Sequence, residues 1–232
     1  MSNYLAIAAV TMTLRDLLEK EAQEIVSGAK VTTLRPEKAA DGAASRKGAN
    51  LFLYQVTPNA AWRNQELMTH RRDVSGPDNR PREIVGKSQP VALNLQYLLS
   101  FYGDENTLEP QRLLGNAVAT LQRQARLPAE RIAQAIKDHD FLRGQDPDTK
   151  TGLPAESYLD FQAQYIEQVR LTPISLNLEE LSKLWSVFFQ VPYTLSVAYE
   201  ASVVLIEPRP PREGRVVLEP PQPVVGPEVP QP

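Results

Sequence analysis

Two segments of the chain alternate between apolar residues and other residues, which is typical of a β-strand with one buried face. In Val91–Tyr102 every odd-numbered residue is apolar or aromatic, whereas the even-numbered ones include Asn94, Gln96 and Ser100. The odd-numbered positions of residues 193–207 share a face in the same way. Shorter strands are predicted at residues 30–34, 50–57 and 165–171. The two long strands predict a sheet with one packed face.

Apolar residues at steps of three and four predict helices at residues 3–27, 108–124 and 178–188. Gly28 is a natural stop for the first helix, and Pro128 opens a further short helix. Asn177, with Glu180 three residues later, has the spacing of a capping box. We therefore predict an α+β fold with a single mixed, mostly antiparallel sheet and helices packed on one side.

The connections between these elements are predicted to be exposed loops at residues 37–48, 62–87 and 138–159. Nine of the 20 prolines lie in residues 207–232, where no helical or strand period is present. Because proline donates no amide hydrogen, we predict one domain at residues 1–207 and an extended or disordered proline-rich segment at residues 208–232. A solvated spacer is the commoner role for such a segment, and a ligand for an aromatic groove is the alternative.

Composition removes several classes of function. With 25 Lys and Arg against 28 Asp and Glu, the net charge of -3 does not suggest a nucleic-acid partner. There is no cysteine, and the two histidines, His70 and His139, leave little for a metal site, so we predict neither metal nor cofactor. The apolar runs are far shorter than the roughly 20 residues of a membrane-spanning helix, so no membrane span is expected.

Three strings resemble catalytic or ligand-binding motifs, and each fails on a required feature. Residues 81–88 end like a phosphate-binding loop, but Pro81 stands where the first glycine belongs and Pro90 blocks the helix that should follow. Residues 146–152 resemble a calcium loop with Lys150 at a ligand position. His139 and Asp140 could be a catalytic base and its orienting carboxylate, but the sequence has no nucleophile-elbow motif G-x-S-x-G. We predict no catalytic residues and no enzymatic activity.

The segment 62–87 is the first candidate for an interaction surface. It carries a tryptophan and a small excess of basic residues, and tryptophan and arginine are enriched as anchors of protein interfaces. A mobile loop is the alternative interpretation. The candidate partner-binding residues are Trp62, Arg63, Asn64, Arg71, Arg72, Arg80 and Arg82.

Three strings resemble a known family: ANLFLYQVTPNAAWRN at 49–64, PVALNLQYLLSFYG at 90–103 and LEPQRLLGNAVATLQ at 108–122. They are similar to the cap, or tail-terminator, proteins of extracellular contractile injection systems of the antifeeding-prophage and virulence-cassette type. The helix at residues 178–185 and the strand at residues 191–204 look like the closing elements of that family's N-terminal domain. The residues that match the family's strand-turn and helix motifs are Tyr54, Pro58, Asn59, Arg63, Asn64, Leu113, Leu114 and Gly115.

This resemblance, which covers about residues 1–208, implies a structural role. It implies a ring, expected to be a homohexamer, that sits on the distal end of the inner tube and contractile sheath and ends their polymerisation. The implied partners are further copies of the chain, the inner tube protein and the sheath protein. Assembly is expected in the bacterial cytoplasm, in a particle that can be released outside the cell. The alternatives are a baseplate or accessory subunit of the same machine, and an adaptor that presents its proline-rich segment.

Overall fold

The computed structural model describes residues 5–40, 47–62, 70–75, 81–86, 91–143, 168–188 and 191–206. For residues 70–75 and 81–86 the description is of the backbone. Most of the predicted connection 138–159 and the proline-rich segment 208–232 lie outside the described residues.

The helices and strands that the periodicities predict follow one another along the chain in the predicted order, together with further short elements that were not predicted. The helices are α1 (Ala6–Ile25), α2 (Pro36–Ala40), α3 (Glu109–Arg123), α4 (Ala129–Asp138) and α5 (Leu178–Ser186), with a short 3₁₀ helix at Asp140–Arg143. The strands are β1 (Lys30–Thr32), β2 (Gly48–Pro58), β3 (His70–Ser75), β4 (Pro81–Gly86), β5 (Val91–Tyr102), β6 (Arg126–Pro128), β7 (Gln168–Ile174) and β8 (Ser196–Ile206).

Six of these strands form one mixed sheet in the order β1-β2-β5-β8-β7-β6. The β1–β2 pair is parallel and the other pairs are antiparallel, so the predicted α+β fold with a mixed, mostly antiparallel sheet is confirmed. Strand β5 has the bounds that its alternation predicts, and it lies centrally between β2 and β8. Strands β3 and β4 form a separate two-stranded sheet.

One face of the sheet, which we call the core face, is covered by α1, α3 and α4. The odd-numbered residues of β5 from Leu95 to Phe101 are buried against apolar residues of all three helices. The Tyr97 hydroxyl lies 2.8 Å from Thr11 Oγ1 on α1, so the phenol of this buried side chain is hydrogen-bonded. Removing these large apolar side chains from water is the main stabilising contribution that the sheet makes.

The opposite face, which we call the second face, carries a much smaller apolar cluster. Leu98, Trp185 and Phe188 are buried there, with Phe52 and Tyr54 of β2 packed against them. Helix α5 supplies this cover, and it begins at the predicted capping box: Asn177 Oδ1 accepts from the Glu180 amide, and Glu180 Oε2 accepts from the Asn177 amide. The prediction that the helices pack on one side is therefore right for α1, α3 and α4 and wrong for α5.

The alternation predicted for the last strand changes at an irregularity inside β8. The register moves from Leu95↔Ala201 to Leu93↔Val204, so β8 has one more residue than β5 between these pairs. An extra residue in one strand exchanges the faces of every residue beyond it. As a result Val204, rather than Val203, belongs to the core cluster with Ala201. The expectation that Val203 and Leu205 share the face of Tyr199 is wrong for this reason.

Two segments predicted as loops contain regular structure. Residues 37–40 of the predicted loop 37–48 belong to α2, in which Pro36 occupies the first turn, where a missing amide hydrogen costs nothing. Within the predicted loop 62–87, β3 and β4 pair from His70↔Gly86 to Ser75↔Pro81. This hairpin has few apolar residues and no alternation, so its sequence gives no strand signal.

The two edge strands of the six-stranded sheet, β1 and β6, are three residues long each. The Arg15 side chain on α1 donates from Nε to the Val31 carbonyl of β1 at 3.1 Å. Strand β6 ends in Pro128, which has no amide hydrogen to offer.

Candidate interaction surfaces

The sheet has one end from which two candidate partner-binding segments leave, and we call it the insertion end. Strand β2 ends at Pro58 and strand β5 begins at Val91, so the β3–β4 hairpin is inserted between them. Strand β8 ends at Ile206, which pairs with Val91, and the proline-rich segment follows it. Both segments therefore begin at the same end of the sheet.

Asn59 fixes the path of the chain as it leaves β2. Its backbone amide donates to the Ala92 carbonyl at 2.8 Å, and its Nδ2 donates to Asn94 Oδ1 on β5 at 2.8 Å. Its Oδ1 accepts from the backbone amides of Ala61 and Trp62 at 3.0 and 3.1 Å, which is an Asx-type turn. This residue of the predicted strand-turn motif therefore orients the start of the insertion.

The predicted partner-binding residues are distributed along this insertion. Trp62 is half-buried at its beginning. The hairpin register places Arg71 opposite Val85, Arg72 opposite Ile84 and Arg82 opposite Val74. Arg63, Asn64 and Arg80 lie outside the described residues. The assignment of these residues to a partner surface therefore stays a prediction.

The other end of the sheet holds an ion-paired cluster that the sequence did not indicate. Glu109, at the start of α3, accepts from Lys47 Nζ at 2.8 Å through Oε1 and from the Asp104 amide at 2.8 Å through Oε2. The Lys47 side chain, followed by the Asp104 amide, lowers the pKa of the Glu109 carboxyl below its usual value. This cluster fixes the first turn of α3 to the loop that follows β5.

Beside this cluster lies a shallow groove of about 320 Å³, lined by residues that include Lys30, Lys47 and Gly48. Gly48 has φ +135°, and an added Cβ would lie 1.9 Å from the Lys30 carbonyl oxygen, so the parallel β1–β2 pair requires glycine here. Lys47 is already paired with Glu109. The glycine in the lining of this groove is therefore explained by the close approach of two backbones.

His139, one of the two histidines, has a structural contact. Its Nε2 lies 2.7 Å from Asp16 Oδ2, which joins the end of α4 to α1. Among the described residues, no three His, Cys, Asp or Glu side chains are placed to hold a metal ion. Within the same residues, no helix has the length and apolar character needed to cross a bilayer.

The second face offers a different kind of surface around α5. Leu178 and Val187, at the two ends of the helix, are 83% and 74% exposed, and Tyr193 is 60% exposed. The Tyr193 ring packs edge-on against Trp185, with centroids 5.6 Å apart. These exposed apolar side chains, beside the small buried cluster, make this part of the second face a candidate contact surface.

The helix motif consists of Leu113, Leu114 and Gly115, and these residues lie partly in the core and partly at the surface. Leu113 is buried in the core cluster and Leu114 packs against it. Gly115 is exposed, and an added Cβ would meet no atom within 4 Å. The core can therefore explain the leucines, whereas nothing in the fold requires the glycine.

Comparison with known proteins gives a family match and similar solved structures. A family model described as the Pvc16 N-terminal domain matches residues 9–219. The sheath/tube terminator of the extracellular contractile injection system PVC, in its extended state, is similar with a TM-score of 0.55 and 13% identity, over 92% of this chain and 63% of that one. The tube-terminating cap of the anti-feeding prophage AFP is similar with a TM-score of 0.50 and 11% identity, over 88% of this chain and 58% of that one.

The chain thus spans about three fifths of the length of these two structures. At such low identity the likeness establishes a shared fold. No curated protein matches the sequence. The resemblance inferred from the strand and helix strings is confirmed by the family match and by this fold.

Proposed function

The chain belongs to the family of the Pvc16 N-terminal domain, and we propose that it is a tail terminator of a contractile injection system. In this role it forms a ring on the distal end of the inner tube and the contractile sheath and ends their polymerisation. The observation that carries the proposal is the family match over residues 9–219, joined to the fold shared with a sheath/tube terminator and a tube-terminating cap.

A terminator has a specific physical task. A growing tube presents the same unsatisfied surface to each incoming layer, so a cap must bind that surface and offer no copy of it in return. The insertion end suits this task, because the β3–β4 hairpin and the segment after Ile206 both leave from it. We assign the tube and sheath contacts to this end, with Trp62, Arg63, Asn64, Arg71, Arg72, Arg80 and Arg82 as the contact residues.

We propose a ring of six copies, joined side to side by heterologous contacts that close on themselves. The role requires no chemistry, and the ionisable clusters at Glu109 and at His139 have structural partners that account for them. We therefore propose that the protein is not an enzyme.

Deletion of the gene in its native cluster tests the proposal directly. Particles would be purified, and tube and sheath lengths measured by negative-stain electron microscopy. We expect broadly scattered or overlong tails with open ends. Tails of normal length with a closed distal end would overturn the terminator assignment.

Complementation then tests the assigned surface. The double variant Arg71→Glu/Arg72→Glu should restore few closed ends, while Arg126→Glu/Arg131→Glu, which makes the same charge change at exposed positions of β6 and α4, should restore most of them. Equal rescue by both would remove the hairpin from the contact surface. A protein found at the baseplate, or in more than one ring for each particle, would instead indicate the accessory-subunit alternative.

A further inference from the structure

One residue joins the two ends of the insertion between β2 and β5. The Asn59 amide donates to the Ala92 carbonyl, and Asn59 Nδ2 donates to Asn94 Oδ1, both at 2.8 Å. Strand β2 ends one residue earlier, at Pro58, and β5 begins at Val91. The point where the chain leaves the sheet is therefore bonded directly to the strand on which the chain returns.

The Asn59 side chain also sets the course of the residues that follow it. Its Oδ1 accepts from the backbone amides of Ala61 and Trp62 at 3.0 and 3.1 Å. Because backbone amides only donate, the atom that receives both must be the side-chain oxygen, and Nδ2 is left to face Asn94. Asn94 must then present its own oxygen. These bonds together fix the orientation of both side-chain amides.

Asn94 has a particular position on the central strand. It pairs with Thr57 of β2, and the register between β5 and β8 is interrupted at this residue, between Leu93 and Leu95. Leu95 belongs to the core cluster and Leu93 packs against it. The turn that carries Trp62 is thus connected, through two side-chain amides, to a strand whose position the core determines.

We propose that Asn59 and Asn94 are positioning residues for partner binding, because they hold Trp62 at one place relative to the sheet. The inference rests on the proposed function, in which Trp62 is the first contact residue of the insertion. The two asparagines act through the backbone of the turn. An indole that is fixed before assembly loses less conformational entropy on binding, so loosening the turn should weaken the contact without unfolding the domain.

A double-mutant cycle tests the pair of amides at pH 7.5. Asn59→Asp keeps an oxygen that accepts from the turn, and the Asn94 amide can rotate to donate to the second carboxylate oxygen. Asn94→Asp offers a carboxylate to Asn59 Nδ2. Each single variant should therefore behave like the native chain. The double Asp variant, Asn59→Asp/Asn94→Asp, brings two carboxylates together without a donor, so the connection should be lost.

Fluorescence of the purified chain reports the position of Trp62. The sequence has two tryptophans, so Trp62 is the sole emitter in a Trp185→Phe background. Acrylamide should quench Asn59→Ala and the double Asp variant about twofold more strongly than this background, because bonds that select one turn conformation are lost. The single Asp variants should be unchanged. Asn106→Ala, which removes an amide from a turn at the other end of the sheet, is the control. Equal quenching in all variants would overturn the proposal.

Complementation of the deletion strain tests the consequence for assembly. With Trp185 restored, Asn59→Ala and the double Asp variant should close few tails, and the single Asp variants and Asn106→Ala should close most of them. Asn177→Ala, which removes the cap of α5, lowers stability and keeps the turn. Normal closure by the double Asp variant would overturn the proposal, and so would equal failure of Asn177→Ala at a similar unfolding midpoint in urea.

Failure of the proposed function gives a different result. If the deletion strain itself closes its tails, the terminator assignment is wrong. The quenching series on the purified chain then still decides whether the two asparagines position Trp62.

Discussion

The two faces of the sheet bury very different numbers of apolar side chains among the described residues. On the core face, β5 buries four large side chains under three helices, in one continuous cluster that reaches from α1 to β7. On the second face, the buried cluster consists of Leu98, Trp185 and Phe188 among the described residues. Because burial of apolar area is the main stabilising term, the core face supplies the larger share of the stability that the described residues contribute.

The sharpest test of this difference removes the same atoms from each face of one strand. Leu95 and Leu98 are both fully buried on β5, and they face opposite sides. We expect Leu95→Ala to cost about 4 kcal/mol and Leu98→Ala about 2 kcal/mol, because the smaller cluster under α5 can close around the cavity. Urea unfolding measures both. Equal costs would mean that α5 is held as firmly as the core helices.

The next largest effect concerns the backbone that closes one edge of the sheet. Gly48→Ala should destabilise the domain by about 2 kcal/mol or more, since the new Cβ collides with the Lys30 carbonyl. Gly115→Ala is the matched control in open space on α3, and it should stabilise by about 0.5–1 kcal/mol. Thermal melting compares them. If Gly115→Ala also prevents tail closure in the particle assay, this glycine contributes to an interface.

The cover of the second face can be loosened on its own. Asn177→Ala removes the side chain that caps α5 and should cost about 1 kcal/mol. Hydrogen exchange should become faster in α5 while α1 keeps its protection, because the two helices pack on different clusters. A uniform acceleration in both helices would contradict the separation of the faces.

The smallest effect is the dependence on pH at the start of α3. The pKa of Glu109 is lowered in the folded chain by Lys47 and the Asp104 amide, so its contribution is fully present above the usual value of 4.5 and is lost as the pH falls through the folded pKa. The unfolding midpoint of the native chain should therefore approach that of Glu109→Gln on acidification. If the difference between the unfolding midpoints of the two chains were the same at pH 7 and pH 3, the ion pair would not contribute to stability.

Sequence patterns predicted the elements wherever one face is apolar. The alternation in Val91–Tyr102 gave the bounds of β5, and the spacing of Asn177 and Glu180 gave the start of α5. Both patterns are local, because each reports how a single segment meets a core. The packing of α5 on the opposite face from α1 could not be predicted in this way, since an amphipathic helix does not specify which side of a sheet it covers.

The parts that were missed have identifiable causes. The irregularity in β8 near Ala201 arises from the pairing of β8 with β5, so the residues of β8 alone do not predict it. Most residues of the hairpin formed by β3 and β4 are polar, so no alternation of apolar and polar residues predicts these strands. Trp62 and the arginines around it were predicted as contact residues from their residue types alone, and this stays a prediction.

The short edge strands have a consequence for the time before assembly. In the proposed role, copies of the chain stay free until a tube and sheath reach the layer that they close. Long open edges would let waiting copies pair strand to strand and aggregate. Strands β1 and β6 have three residues each, and β6 ends in a proline. The Val31 carbonyl of β1 already accepts from Arg15. The edges of the six-stranded sheet, as the described residues form it, therefore offer few backbone groups for pairing between copies.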